Sequence, residues 1–527
     1  MNQIDEPNVF LPLAASYDER GDDGYTTTVT NGKDQRKVNS MYEYTVNAMS
    51  GKQTLRLRKR PGFLDLNVTM GSASSGSVPC LISVPPVSTI GGVSTNAWMF
   101  SLDGDSVVMA HSDATSVGVT VVSQSGVGRW PAYVDRTSLS GVQNLVIQCP
   151  ARGLAQRVFF SSVWPTFTEI TDADFTALST RGKMEHMDGY ALIMESRNRI
   201  YNSDSNSLAN WTSTSFITKQ IEQDVAIGLA RLGRIILAFG AETVEGFYNA
   251  GNTSGSPLGR IPQLSKKIGL GYYALDGQTQ SGTGRRSYYA NVGGKLYFLG
   301  AEGQPYPGGM QGLGIYVFDG SSFNRVSTSA IDKILFGSFP GNESVDVTNI
   351  CGMVVEGKQA VAIALSYPNV ATQRWLMYFP EWREWFEWTS TYFQPVSNGP
   401  YCIGIGGTAS VNKLVSGSDP AFLGWRDGVS SSYTMTHQFR LPSRGSHRKR
   451  MSFAGVIGDT QTSTSALTVE KSDDDYQTFQ NLGEGTIDLT KQNKVTHRCG
   501  NYRDRAIRLT HSANTDCRLE AFVAKVK

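Results

Sequence analysis

Long apolar runs are missing from this chain of 527 residues. No stretch approaches the roughly 18 apolar residues that a membrane-spanning helix requires. A surplus of one charge is missing too. Lys and Arg total 48 against 46 Asp and Glu, so the positive excess of a protein that coats duplex nucleic acid is absent and any DNA contact is expected to be local. Histidine is scarce: His111, His186, His437, His447, His497 and His511 stand apart without paired spacing. The six cysteines, Cys80, Cys149, Cys351, Cys402, Cys499 and Cys517, form no Cys-x-x-Cys pair and have no His at metal-ligand spacing, so buried free thiols are expected. Neither a Gly-x-x-x-x-Gly-Lys-Ser/Thr phosphate loop nor a Gly-x-Ser-x-Gly elbow occurs. Neither enzymatic chemistry nor a cofactor or metal is therefore expected. The start, Met1-Asn-Gln-Ile-Asp-Glu-Pro7, has neither a basic nor an apolar stretch, so the expectation is synthesis in a cytosol without a cleaved secretion signal.

What is abundant is turn and strand chemistry. Glycine occurs 55 times, and β-branched and aromatic residues fall in short runs, a composition of many short strands. Strand candidates include Trp98–Asp103, Leu145–Gln148, Val158–Phe160, Tyr190–Met194, Ile235–Phe239, Lys295–Leu299, Val361–Leu365 and Lys413–Ser416, each closed by turn residues. Helix is expected only at Asp172–Leu178. The fold class read from this pattern is all-β: a β-propeller over 97–432, a C-terminal β-sandwich-like module over 433–527 and an irregular N-terminal module over 1–96. Within the last, Gly71–Gly92 has the Ser/Gly/Pro composition of an extended loop.

Two passages share one plan, Ile315–Thr328 and Trp375–Thr389: a buried strand, a tight turn and an aromatic return, as in blade hairpins. Trp382, Trp385 and Trp388 are read as hairpin packing rather than as a ligand-stacking platform. Ser472-Asp-Asp-Asp-Tyr-Gln-Thr-Phe479 approximates the Ser-x-Asp-x-Gly-x-Thr-Trp turn of sialidase-type propellers, with Tyr476 for the Gly and Phe479 for the Trp. In that turn the carboxylate ties down a hairpin.

Two basic runs are the candidate contact residues: Arg56, Arg58, Lys59 and Arg60 before Pro61-Gly62, and Arg444, Arg448, Lys449 and Arg450. They could neutralise phosphates without reading sequence, or serve a subunit or adaptor contact through salt bridges. Neither run has interleaved aromatics for stacking on single strands.

Further motifs lie between Asp188 and Arg260: Tyr201-Asn-Ser-Asp204 followed by Trp211; Phe239-Gly240 followed by Glu245 and the Asn249/Gly251 pair; and Arg260 before Lys267-Ile-Gly269. With Arg58-Lys-Arg-Pro-Gly62 and the Arg-rich Arg498–Arg508 segment, this part of the chain resembles the tail hub, or tail nozzle, proteins of short-tailed bacteriophages, also called packaged-DNA stabilisation proteins. The resemblance runs in order from about residue 56 to the end, and residues 67–180 match nothing in it. It implies a virion tail protein made in the host cytoplasm and assembled as a homohexamer below the portal and adaptor ring. Such a ring holds tail fibres, spikes or a plug, and double-stranded DNA touches it transiently and without sequence preference. A propeller glycoside hydrolase, or a glycan- or receptor-binding tail module, is the alternative.

Overall fold

The structure is a computed structural model. It describes residues 9–14, 36–46 and 53–69, the strands between 80 and 163 without their connections, and 166–270 apart from 223. It further describes 289–302, 313–335, 346–366, 373–390, the strands at 393–395, 401–404 and 410–415, and 425–527 apart from 428–430, 442–446 and 475.

Strands with unbroken apolar runs set the architecture. Tyr190–Glu195, Ile235–Gly240, Lys295–Glu302 and the Ala360–Leu365 part of Lys358–Ser366 are buried along nearly their whole length. A strand apolar on both faces must be covered on both. Each of these is the second strand of an antiparallel sheet, and successive sheets stack face to face around a ring. Among the described residues seven blade sheets result, from residues 80–123, 133–169, 180–218, 226–266, 268–325, 346–390 and 393–415. The fifth shares its innermost position between Ile268–Gly269 and Tyr289–Val292. Continuous apolar clusters join blades two to six pairwise: Val146 and Val158 with Tyr201 and Trp211, Leu192 and Met194 with Ile236 and Phe247, Phe239 with Phe298, and Tyr297 with Tyr378. Strand Tyr401–Gly404 of blade seven lies against Cys80–Ser83 of blade one, which closes the ring.

Among the described residues, blade seven has three strands from its own segment. Gly62–Thr69 fills the fourth place, pairing with Ser410–Val415 through Leu414↔Phe63 and Val415↔Gly62. One strand from the N-terminal part thus seals the propeller to sequence almost 350 residues further along.

The second body is a β-sandwich with alternating strands. One sheet contains Ser40–Val46, Gln53–Lys59, Arg518–Val526, Lys449–Gly458 and Val495–Tyr502, with Val9–Pro12 also paired to Arg518–Val526. The other contains Arg36–Val38, Met435–Arg440, Ala506–His511, Ala466–Ser472 and Gln480–Asp488. Leu57, Phe439, Val469, Ile507, Leu509 and Phe522 fill the space between them. This second sheet does not stop at the sandwich. Arg36–Val38 pairs in parallel with the outer strand of blade six, Glu384–Ser390, at Val38↔Glu387, so blade and sandwich share one nine-stranded sheet.

The all-β propeller with a sandwich-like module is therefore present, and the domain limits need correction. The described strands within residues 1–96 do not form one module: Val9–Pro12, Arg36–Val38, Ser40–Val46 and Gln53–Lys59 belong to the sandwich, Gly62–Thr69 to blade seven and Cys80–Ser83 to blade one. Composition alone could not show this, because the partners of these strands lie hundreds of residues away. Apart from Cys80–Ser83, the Gly71–Gly92 stretch lies outside the described residues.

Candidate functional site

The first basic run occupies the joint between the two bodies. Along Gln53–Lys59 the side chains of Leu55 and Leu57 turn into the sandwich core, which sends the alternate Arg56 and Arg58 to the other face. The propeller covers that face at Arg58. Its guanidinium reaches Glu356 at 2.7 Å, Glu43 at 3.2 Å and Asp516 at 3.4 Å, and lies 4.9 Å from the centre of the Trp425 ring. Glu356 is held at the tip of a blade-six hairpin whose two turn residues, Glu356 and Gly357, both have positive φ (48° and 77°), the geometry of a tight two-residue loop.

Arg60 is wholly buried, and all five of its N–H donors are engaged. Its Nη1 and Nη2 clasp Asp427 Oδ1 and Oδ2 at 2.9 and 2.6 Å; Nε donates to Asn39 Oδ1 at 3.0 Å; the remaining N–H groups reach the carbonyls of Pro61 at 2.9 Å and Thr389 at 3.1 Å. Tyr433 lies flat against it, 3.8 Å away, and donates its hydroxyl to the Arg60 carbonyl. Burial raises the Tyr433 pKa far above the ordinary tyrosine range. Lys59 donates to the Ala513 carbonyl at 2.7 Å, and burial lowers its pKa to about 8. Beside it, burial pushes the Cys517 thiol up to about 12. Arg56 lies nearer the surface, 2.7 Å from Asp459 and 3.6 Å from Glu520.

These positions correct the expectation for the first run. Arg58, Lys59 and Arg60 are internal cations, Arg58 and Arg60 clamping sandwich to propeller, and burial leaves none of them open to DNA phosphate or a second subunit. The second run divides differently. Arg444 lies outside the described residues; Lys449 is half-buried; Arg448 and Arg450 are exposed, beside exposed Arg498, Arg503 and Lys527. Arg450 and Lys527 exchange backbone hydrogen bonds at 2.8 Å in both directions, which sets their side chains on one face of the sheet.

The motifs between Asp188 and Arg260 are engaged inside the ring. The connection from blade three to blade four, residues 219–225, is pinned by two carboxylates. Asp224 accepts from the backbone N–H of Glu242 at 2.8 Å and of Thr243 at 2.9 Å, and from Lys219. Glu245, fully buried, accepts from the N–H of Gln220 at 2.7 Å and of Ile221 at 2.6 Å, and from Arg260 Nε at 3.0 Å. Gly240 is required because a methyl group there would overlap the Asp224 carboxylate, and Gly269 because one would overlap the Ala241 carbonyl. Trp211 donates its indole N–H to Leu208 at 3.0 Å, and Gly251 N–H donates to Asn249 Oδ1 at 2.9 Å. All of these residues build blades.

The other singled-out features also have structural partners. Trp385 donates to the Val326 carbonyl at 3.0 Å and Trp388 to Ser40 at 2.9 Å, while Trp382 packs on Phe379 and Tyr42. In the Ser472–Phe479 turn, Asp474 accepts from Ser472 Oγ at 2.7 Å and from the Thr478 backbone at 3.0 Å. Tyr476 stands there at φ 65°, in the place of the glycine. Cys351, Cys499 and Cys517 are buried free thiols.

One polar group faces the propeller axis from two blades. Glu185 on the innermost strand of blade three accepts from the Tyr289 hydroxyl on that of blade five, with Lys183 Nζ 3.9 Å away. The sequence held no sign of this pairing.

Comparison with known proteins identifies no family for this chain. No family model matches, and no curated protein matches. Among solved structures, a chain of the mitotic checkpoint complex aligns with TM-score 0.37 and 11% identity over 68% of this chain and 96% of its own. The computationally designed Ika8 protein aligns with TM-score 0.35 and 10% identity over 67% and 100%. An exo-β-1,3-galactanase from Phanerochaete chrysosporium aligns with TM-score 0.28 and 9% identity over 87% and 99%. Among the described residues, no helix is long and apolar enough to cross a membrane.

Proposed function

We propose that this chain is a structural virion protein, a tail nozzle or hub subunit that assembles into a hexameric ring. The ring retains packaged DNA and lets it pass at ejection. The observation that supports the reading best is the joint itself. A propeller with seven blades among the described residues and a sandwich share one sheet and are clamped by Arg58 and Arg60, so the subunit is a stiff two-body block. Stiff blocks suit a wall that must hold its bore under load. Overall charge near neutrality fits a conduit through which DNA slides, since many strong phosphate contacts would hold it back. The resemblance of the Asp188–Arg260 motifs supplies the tail context, including the adaptor ring and the attached fibres, spikes or plug. Electron microscopy of the purified protein, and of particles containing it, tests the reading: six-fold rings at the tail are expected, and a monomer at high concentration that never joins a tail counts against it.

A second reading, a propeller acting on or binding surface glycans, is favoured by Glu185 beside Tyr289 and Lys183 near the axis. Cleavage or binding across a glycan panel, lost in Glu185→Gln, would support it.

A further inference from the structure

Two surfaces of opposite charge find no counter-charge within the chain. The first is one end of the six-stranded sandwich sheet. Arg450 stands opposite Asn501 and exchanges backbone hydrogen bonds with Lys527 on its other side, so the three share a face. Arg448 and Arg503 continue the same two strands by one residue beyond the Lys449↔Tyr502 pair, and Arg498 stands at φ 61° where that ladder bulges. All five cations are exposed, and none is in an ion pair among the described residues. The carboxylates beside them are committed elsewhere: Asp504 lies 3.5 Å from Arg440, and Asp473 is clasped by Arg505 at 2.7 and 2.8 Å. The second surface is one end of blade three. There Asp172, Asp204 and Asp174 accept from three consecutive residues, Trp211 N–H at 3.3 Å, Thr212 Oγ1 at 3.1 Å and Ser213 N–H at 2.9 Å. The Asp188-Gly189 turn is tied to the same end, since Asn206 N–H donates to the Gly189 carbonyl at 2.8 Å. These four carboxylates engage neutral donors alone; among the described residues none pairs with a cation, and no group of them is placed to hold a metal ion. Like charges gathered in this way repel one another in a lone subunit.

We propose that the basic end of the sandwich in one copy docks on the acidic end of blade three in the next, a head-to-tail contact between copies of this chain. The inference rests on reading the chain as a ring subunit, and it names the two surfaces by which such subunits meet. Charge decides the occupant. Lys and Arg total 48 against 46 Asp and Glu, so the two surfaces reflect segregation of charge within a near-neutral chain. A second copy satisfies both at once, whereas duplex DNA would take the basic end and leave the acidic end uncompensated. Unlike surfaces meeting in this way give a repeating contact, each copy offering its basic end to one neighbour and its acidic end to the other, and the series closes into a ring where the rotation between copies allows. Complementary potentials of this kind select the partner and its orientation.

The test uses the full chain in three forms: the native sequence, a basic-end variant with Arg450→Glu and Lys527→Glu, and an acidic-end variant with Asp188→Asn and Asp204→Lys. All four positions are exposed, and circular dichroism confirms that the variants stay folded. In sedimentation velocity the native chain is expected to self-associate, less so as salt rises from about 0.05 to about 0.5 M, and each variant alone to associate at least about tenfold more weakly. An equimolar mixture of the two variants is expected to form pairs and stop there. The intact acidic end of one meets the intact basic end of the other, and the altered ends cannot extend the series. Misfolded chains could not give that rescue. Absence of pairs in the mixture would overturn the proposal. So would a mixed-sequence DNA duplex whose binding is lost in the basic-end variant while self-association is unchanged. Rings that form unaltered in both variants would overturn these surfaces and leave the ring reading standing. A native chain that stays monomeric at high concentration would also overturn them, and the ring reading falls with them if that chain joins no tail.

Discussion

The Arg60 guanidinium and the Asp427 carboxylate meet in a two-pronged pair, 2.9 and 2.6 Å, with both side chains buried. They lie 367 residues apart in the chain. Removing one partner of such a pair leaves the other charge buried and uncompensated, which costs about 3–5 kcal/mol. Arg60→Ala is therefore expected to lower the stability of the whole chain by about that amount in urea denaturation, whereas Arg56→Ala, at a more exposed pair, should cost about 1 kcal/mol or less. Loss of assembly in a joint Arg56→Ala, Arg60→Ala variant would therefore follow from loss of fold. Equal, small effects of the two single changes would refute the clamp.

The sealing strand gives a test of domain organisation. A chain starting at residue 70 lacks the outer strand of blade seven and three strands of one sandwich sheet. It is expected to be insoluble or molten, with near-ultraviolet circular dichroism lost. If residues 1–96 were a separate module, the remainder would unfold with an ordinary cooperative transition.

Much of the molecule was legible in the sequence, for a physical reason. Continuous apolar runs such as Tyr190–Met194 and Ile235–Phe239 announce strands covered on both sides, and Ile315–Thr328 and Trp375–Thr389 were readable as hairpins because turn and strand chemistry are local. The Asp172–Leu178 helix stands as Ala173–Thr176, with the Asp172 side chain accepting from the N–H of Asp174 and Phe175 at its start. The joint was not legible. A cation next to a Pro-Gly turn reads as surface, and only the arrival of Asp427, Asn39 and Thr389 from remote segments makes Arg60 internal. The alternation of Leu55 and Leu57 with Arg56 and Arg58 was the available signal: it marks a strand with one face in a core, and says nothing of what covers the other.

Close backbone approach gives a third expectation. Gly240→Ala would drive a methyl group into the Asp224 carboxylate that pins residues 219–225. Overpacking of this kind costs about 1–3 kcal/mol. Amide hydrogen exchange should quicken at Glu242 and Thr243 in that variant while the sandwich strands keep their protection. Unchanged exchange at those two amides would show that the carboxylate moves aside freely.

Acid sensitivity follows from two buried histidines. His437, whose ring nitrogens have no hydrogen-bond partner among the described residues, has its pKa driven down to about 3 by burial and then by Lys37; that of His511 falls to about 4 by burial and then by Lys59. Both are neutral in the fold and take up a proton near 6.5 when unfolded. Their contribution is complete above that value and is lost as pH falls towards 4 and then 3. Glu356 and Asp516, raised by burial, act in the opposite sense, their cost shrinking as pH falls. Melting temperature should decline from about pH 7 to about pH 4.5, and His437→Leu should flatten the decline. An unchanged slope would remove His437 as a cause.

The measurement closest to the central proposal is cryo-electron microscopy of particles carrying this protein. Six copies in a ring around the exit channel are expected at the tail, each a propeller and sandwich fitted as one rigid unit with the Arg60–Asp427 clamp intact. Particles that eject DNA normally without this chain at the tail, or a map with propeller and sandwich apart, would contradict it.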